Sequence, residues 1–407
     1  MDQKIQQPQF AVNIVFECIR GLSALWVFFF HIADSFEHLS PFVFTIAKYG
    51  YHGVPVFFVI SGYCIYSSAE KMLRKGQHPN NFLFRRLIRV MPPFWASILL
   101  IVALPYFLEA ISFLKFGVYN APSPRWLQFD IVDWLKIATL TQVFFNKGGN
   151  LQEAFSPINA VYWSLAIEVQ LYIIIYLTIF FKSGRKKILM LMLAASLLVV
   201  AMPALRDSGL FFSFWPAFFV GILLRWAHGK GITPNMLFGK MSLVVSFSGI
   251  ALLFFFSLFL IFSPNRFSQT LPTEKYNLTF TFVAIIAAGL IWMLGEIEYC
   301  FFASKSFGAK HSKFQMALLL PMCLLGQSSY SLYLLHGQLQ QLPAMFIRQI
   351  ISPNSSAFPF LTIIATVSLC YCFYKFVEIP LLKFGKSIAK NNSVFFFQTD
   401  QRIFYKR

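Results

Sequence analysis

The chain has 407 residues, of which 57% are apolar and only 12% charged, with 51 phenylalanines. A soluble protein places about 25% of its residues in Asp, Glu, Lys and Arg, so this composition excludes water as the main solvent and points to lipid. The net charge of +18 would suggest a nucleic-acid partner in a soluble chain, but here the positives fall in alternate loops between apolar stretches, as membrane insertion requires, which removes that case.

Hydropathy predicts spans at 12–33, 53–68, 91–111, 161–181, 188–205, 211–228, 241–262, 279–297, 316–336 and 359–380. Each approaches the roughly 20 residues that cross a hydrocarbon core about 30 Å thick. The expected fold is therefore an all-α, polytopic transmembrane helical bundle of about ten spans. Residues 1–11 form a short leading segment, 12–385 the membrane domain and 386–407 a tail. The first apolar stretch has no small-residue cleavage site, so it is expected to stay as a helix and not to leave as a signal peptide. The second span is short and glycine-flanked, which invites a tilted or partly re-entrant course. Trp134–Phe145 is too short to cross and is expected at the interface or as a loop helix. Most Lys and Arg lie in loops on the side of the N-terminus, as at Lys71, Arg74 and Lys75 or Arg185, Lys186 and Lys187, which predicts both termini in the cytoplasm. The cysteines show no metal spacing and no disulfide framework, and no metal is expected.

Polar residues inside apolar spans mark the candidate site, because a mid-helix charge costs about 2.5–3.5 kcal/mol on insertion scales and is functional by default. In the first span Glu17, three residues before Arg20, is the natural partner of that cation. Arg20 and His31 stand eleven residues apart, three turns plus about 20°, so they share a face about 16 Å apart along the axis. Ser61-Gly62 in the second span allows close backbone approach or a polar lining. Next come Arg85, Arg86 and Arg89 before Pro92-Pro93, which reads as a helix start. Arg86 and Arg89 share a face, and guanidinium forks suit phosphates, although positive-inside anchoring explains such a run equally well. In Val161–Tyr172, Trp163 suits an interfacial belt, and Glu168 lies deeper, near Gln170 and Tyr172. A buried carboxylate beside a histidine orients it and stabilises the imidazolium; an ion pair to another helix is the plainer reading. Ser328–His336 carries Ser329, Tyr330, Ser331 and Tyr333 before His336, a pattern that interhelical hydrogen bonding would also produce. Glu378-Ile379-Pro380 closes the last span.

Taken in order, these segments resemble the acyltransferase-3 family of bacterial membrane acyltransferases over about residues 12–385. Arg20 and His31 match its first-helix spacing, and Gly53, Phe57, Phe58, Ser61 and Gly62 match its "G-x-x-x-F-F-x-x-S-G" segment. Arg86 and Arg89 match its paired arginines. Trp163, Ser164, Leu165, Glu168, Gln170 and Tyr172 match "W-S-L-x-x-E-x-Q-x-Y", Ser329 to His336 match "S-Y-x-x-Y-L-x-H", and Glu378 with Pro380 match "E-x-P". The chain departs from the pattern at Pro55 and Val169, where the family often has acids, and has Glu17 where Asp is commoner. The extracytoplasmic esterase-like domain of some members has no counterpart in this sequence, so a second step on such a domain would need another protein.

The resemblance implies an O-acyltransferase of the bacterial inner membrane, moving an acyl group, expected to be acetyl from acetyl-CoA, to a hydroxyl of a carbohydrate or lipid-linked glycan. It assigns His31 as general base or transient acyl carrier, with Arg20 nearer the thioester and Glu168 or Glu17 orienting the imidazole. Arg86 and Arg89, with Arg85 and Ser61 beside them, would hold the donor. Trp163, Tyr172, Tyr330 and His336 would meet the acceptor. The rival is a transporter or flippase for a glycan or acyl intermediate, which would predict broken helices in two related halves; the sequence shows no such internal symmetry.

Overall fold

The computed structural model describes residues 13–117, 119–145, 151–181, 184–200, 202, 208–262, 273–300 and 320–391. Among these the regular structure is entirely helical. Seven helices are long and apolar enough to cross a membrane, and the protein is a multi-pass membrane protein. The helices are α1 (Asn13–His31), α2 (Pro41–Lys48), α3 (Gly53–Arg74), α4 (Pro79–Phe116), α5 (Ile131–Ala138), α6 (Leu151–Phe155), α7 (Tyr162–Ile179), α8 (Arg185–Val200) and α9 (Trp215–Gly229). They are followed by α10 (Pro234–Phe238), α11 (Ser242–Phe262) and α12 (Thr273–Glu298). The last are α13 (320–327), α14 (Ser329–Leu339), α15 (Gln341–Ile347), α16 (Ala357–Phe373) and α17 (Ile379–Asn391).

Helix α3 runs through the centre and packs on α1, α7, α9 and α12. Its contact with α9 is backbone against backbone. A Cβ on Gly62 would lie 2.0 Å from the Phe218 carbonyl oxygen, and one on Gly221 would lie 2.0 Å from that of Val59. Small residues at a crossing replace the missing hydrophobic drive between helices in lipid with close packing. Helix α1 meets α13 in the same way, Gly326 lying against the Glu17 carbonyl. Around this core α11 is apolar on every side and exposes Phe247, Leu252, Phe254 and Phe255, a contiguous surface that suits lipid contact.

Several boundaries differ from the sequence expectation. The second span is neither short nor re-entrant: α3 is a continuous helix of 22 residues. Pro92-Pro93 does not start a helix, because α4 begins at Pro79, capped by the His78 side chain at the Asn80 amide, and carries Pro92, Pro93 and Pro105 inside it. The two prolines take two N–H donors from the ladder, and in the turn they loosen the Val90 carbonyl accepts the Tyr330 hydroxyl at 2.7 Å. The 188–205 and 211–228 spans become helices of 16 and 15 residues; α9 is largely sheathed by protein and has little bare hydrocarbon to match. Residues 316–319 lie outside the described residues, and 320–339 form one rod, since backbone bonds bridge Ser328 at 3.0 and 2.9 Å. Trp134–Phe145 forms the end of α5 and a single 3-10 turn; Asp130 caps α5 at the Asp133 amide, and Ile131, Val132 and Leu135 stay exposed. Glu378 does not close the last helix. A π-helical turn, Tyr374–Glu378, passes directly into α17, so Pro380 stands inside a continuous helix, next to the widened turn.

Candidate active site

Two polar layers lie inside the bundle, one at the end where α1 begins and one where it ends; they are called proximal and distal. The proximal layer gathers residues from six elements. The Arg20 guanidinium pairs with Glu17 at 3.3 Å on α1. From α4, the Arg86 guanidinium donates to the Cys64 carbonyl at 3.1 Å and lies 6.0 Å from the Tyr172 ring, within cation–π range. Glu168 on α7 accepts the Tyr172 hydroxyl at 2.7 Å and the Ser61 hydroxyl at 3.2 Å. Glu378, 6% exposed, accepts the Ser331 hydroxyl and feels the charges of Arg89 and Arg20. Arg20, Arg86 and Arg89 all act on Cys64 from around it, so three guanidiniums face three carboxylates. Arg89 alone of the three is exposed, and its guanidinium makes no hydrogen bond or close ion pair with any described residue.

Helical periodicity explains how short motifs build this layer. Ser164, Glu168 and Tyr172 follow one another at four-residue steps along one face of α7. Gln170 points elsewhere and ties the chain at Gly209 and Phe211, through bonds of 2.9 and 3.0 Å. Arg86 and Arg89 share a face of α4 for the same reason; Arg85, one turn before Arg89, adjoins that face, but unlike Arg89 it feels none of the layer's carboxylates. The π turn before α17 ends at Glu378; such turns insert one extra residue per turn and re-aim the side chains that follow.

The distal layer borders a small cleft lined by His31, Phe30, Tyr51, Gln152, Trp163 and Tyr333 among others. His31 ends α1 with its side chain exposed, and its ring lies 5.0 Å from that of His336. Tyr333 joins the layers: it lines this cleft, and its hydroxyl donates to the Val161 carbonyl at 2.8 Å and stands 2.6 Å from the Ser164 hydroxyl. Ser164 lies one turn along α7 from Glu168, so hydroxyl groups stand between the residue lining the cleft and the layer of arginines.

The structure thus divides the residues expected at one site. Arg20, Glu17, Arg86, Arg89, Ser61, Glu168 and Tyr172 meet in the proximal layer, while His31 and Trp163 line the distal cleft. Glu168 and Glu17 do not orient His31, because each is engaged among the arginines, and Glu17 lies about 21 Å down the helix from it. Tyr172 is buried against Glu168, Tyr330 is fastened to Val90, and His336 is fully buried behind His31, so none of the three lines the acceptor-side cleft. Glu378, Tyr333 and Ser164 were not singled out from the sequence as site residues. The signal for Ser164 was its four-residue step from Glu168, and for Glu378 it was a carboxylate two residues before Pro380. Among the described residues no cluster of His, Cys, Asp or Glu could hold a metal ion.

A lipid-solvated bundle with buried, balanced charges and a histidine at the mouth of a cleft defines a multi-pass membrane protein with an enzyme-like interior. Comparison with known families names the class. A family of acyltransferase domains matches residues 13–375, and the chain belongs to it, the acyltransferase-3 family. It is 26% identical over 388 residues, 90% of this chain, to the peptidoglycan O-acetyltransferase OatA of Listeria monocytogenes, of whose length it spans 56%. No solved structure matches.

Proposed function

We propose that the protein transfers an acyl group, acetyl in the first instance, from a cytosolic acyl-CoA to a hydroxyl of a cell-envelope glycan or lipid-linked glycan precursor, in the inner membrane of a bacterium. The observation that carries this reading is His31: an exposed imidazole in an aromatic cleft, on the helix face that leads to Arg20 and the other two arginines. The loops richest in Lys and Arg adjoin the proximal layer, which supports a cytoplasmic location for that layer and for both termini. Arg89, exposed and uncommitted, suits a phosphate of the donor, with Arg86 behind it. The donor's flexible pantetheine arm would have to pass between the helices beside the Ser164 and Tyr333 hydroxyls to deliver its thioester to the distal cleft, about 16 Å beyond Arg20.

His31 would then act as general base. It takes the proton of the acceptor hydroxyl as that oxygen bonds the acyl carbon. The carbon–sulfur bond breaks, and the departing thiolate receives the proton back from His31. Phe30, Tyr51 and Trp163 give the cleft flat apolar faces of the kind that pack on sugar rings, and the relative in Listeria acts, by its name, on peptidoglycan. The test uses membranes containing the protein, acetyl-CoA labelled in its acetyl group, and the envelope glycan fraction of the parent cells. Label should enter the glycan as an alkali-labile ester with wild-type protein and not with His31→Ala, which should still insert in the membrane. Ester formation by His31→Ala at the wild-type rate would overturn the proposal.

A further inference from the structure

His336 is the strangest residue of the distal layer. It is 0% exposed, yet only one of its ring nitrogens is satisfied. Nδ1 lies 2.9 Å from the Leu332 carbonyl, and a carbonyl only accepts, so Nδ1 carries the proton and Nε2 presents a bare lone pair. Nε2 has no hydrogen-bond partner among the described residues, and leaving such a group buried and unpaired costs about 1–3 kcal/mol. The ring is wedged between Phe28 and Tyr333, which holds it in place, and its third neighbour is the ring of His31, 5.0 Å away.

We infer that His336 is a positioning residue for His31: its Nε2 accepts an N–H of His31, fixes the tautomer of that imidazole, and leaves the other His31 nitrogen bare toward the cleft. This rests on the proposed role of His31 as base. Two imidazoles joined by an N–H···N bond of about 2.9 Å, with each nitrogen about 1.1 Å from its ring centre, have centres about 5 Å apart, the separation observed. The rings are tilted by 57° and meet face to edge; turning His31 about its outer side-chain torsion, which is broad for such rings, makes the bond. When the free nitrogen of His31 takes the acceptor's proton, the imidazolium keeps its N–H on Nε2, and the proton later leaves with the thiolate, so His336 gains and loses none. The pair does without a carboxylate, and Glu17 and Glu168 remain with the arginines.

The test uses the full-length protein in lipid nanodiscs, with 15N-labelled histidine and with acetyl-CoA and envelope glycan as substrates. The seven histidines are narrowed to one by subtracting the spectrum of His31→Ala. Wild type should show His31 as a single neutral tautomer with a hydrogen-bonded N–H. His336→Leu should mix the tautomers and lower kcat at least about tenfold, the usual size of an outer-shell effect, with KM for acetyl-CoA within about twofold. His336→Gln, whose amide oxygen replaces the lone pair, should recover a single tautomer and most of kcat; if His336→Leu fails to fold, this variant alone decides. Mixed His31 tautomers in wild type, an unchanged His31 signal and kcat in His336→Leu, or mixed tautomers and a lost kcat in a folded His336→Gln, would overturn the pairing. An inactive His31→Ala beside a fully active His336→Leu sinks the pairing alone, whereas an active His31→Ala sinks the proposed reaction.

Discussion

The two polar layers solve opposite problems with similar residue types. In the proximal layer three guanidiniums and three carboxylates face one another, and Glu168 and Glu378 are each held by hydroxyl donors, so the charges are balanced before any substrate arrives. In the distal layer two histidines share a contact with no charged partner between them, and one nitrogen is left bare. A buried charge must be paired to exist in lipid at all, whereas a neutral imidazole is tolerated and stays available to move a proton. In the proposed reaction binding and chemistry sit about 16 Å apart on one helix, and substitutions in each layer should affect different steps.

The largest effect is expected distally. His31→Ala should lower ester formation by about 10²–10⁴-fold, the usual contribution of a general base, while the donor still binds; radiolabelled acetyl-CoA retained by the variant in nanodiscs measures this. Equal loss of donor binding would merge the two layers into one site. Next comes Arg89→Ala, which should raise KM for acetyl-CoA about 10–100-fold, as for a lost charge-assisted bond of 1.5–3 kcal/mol, and leave kcat at saturation nearly unchanged. Arg85→Ala, one turn before Arg89 but not acted on by the layer's carboxylates, should change neither beyond about twofold. Reversal of this order would show that anchoring to the membrane surface, and not the cluster, governs the donor.

Much of this was legible in the amino-acid order, because helical spacing is rigid. Arg20 with His31, Arg86 with Arg89, and Ser164 with Glu168 were set on common faces by multiples of 100°, and α1, α3, α7 and α12 fall where apolar runs reach membrane length. What stayed hidden depends on partners far along the chain. Glu168 reads as a candidate to orient His31 until Ser61, 107 positions away, and Tyr172 are seen to hold it among arginines. Glu378 reads as a solvated helix end because a π turn leaves no pattern in hydropathy. Pro92-Pro93 reads as a beginning because nothing local announces that Tyr330, 240 positions away, will support the carbonyl of the weakened turn.

Glu168→Gln sharpens the comparison further. It keeps the shape and one accepting oxygen but removes a charge facing Arg86 and Arg89. If Glu168 belongs to the proximal layer, stability should fall by about 1–3 kcal/mol, the cost of disturbing a buried polar network. Acetyl-CoA, whose phosphates replace the missing negative charge, should restore more of the melting temperature than it adds to wild type. The kcat at saturating donor should stay within about threefold. A fall in kcat comparable with that of His31→Ala, at unchanged KM, would instead return Glu168 to the role of orienting the histidine.

The smallest effect is expected from Tyr330→Phe, six residues before His336 in the same late motif. Its hydroxyl touches neither layer's charges directly; it caps the Val90 carbonyl at 2.7 Å in the turn that Pro92 and Pro93 weaken. Removing one such interhelical bond in a membrane protein costs about 0.6–2 kcal/mol, and the ring that fills the space is kept. Thermal unfolding in detergent should drop by a few degrees at most, with kcat and both KM values within about twofold of wild type. The bond is a strut: α4 carries Arg86 and Arg89 on the turns just before the prolines, and the strut holds that stretch against α14. If KM for acetyl-CoA rose tenfold while stability barely moved, the strut would be aiming the arginines as well as supporting the helix, and the kinked stretch of α4 would count as part of the donor site.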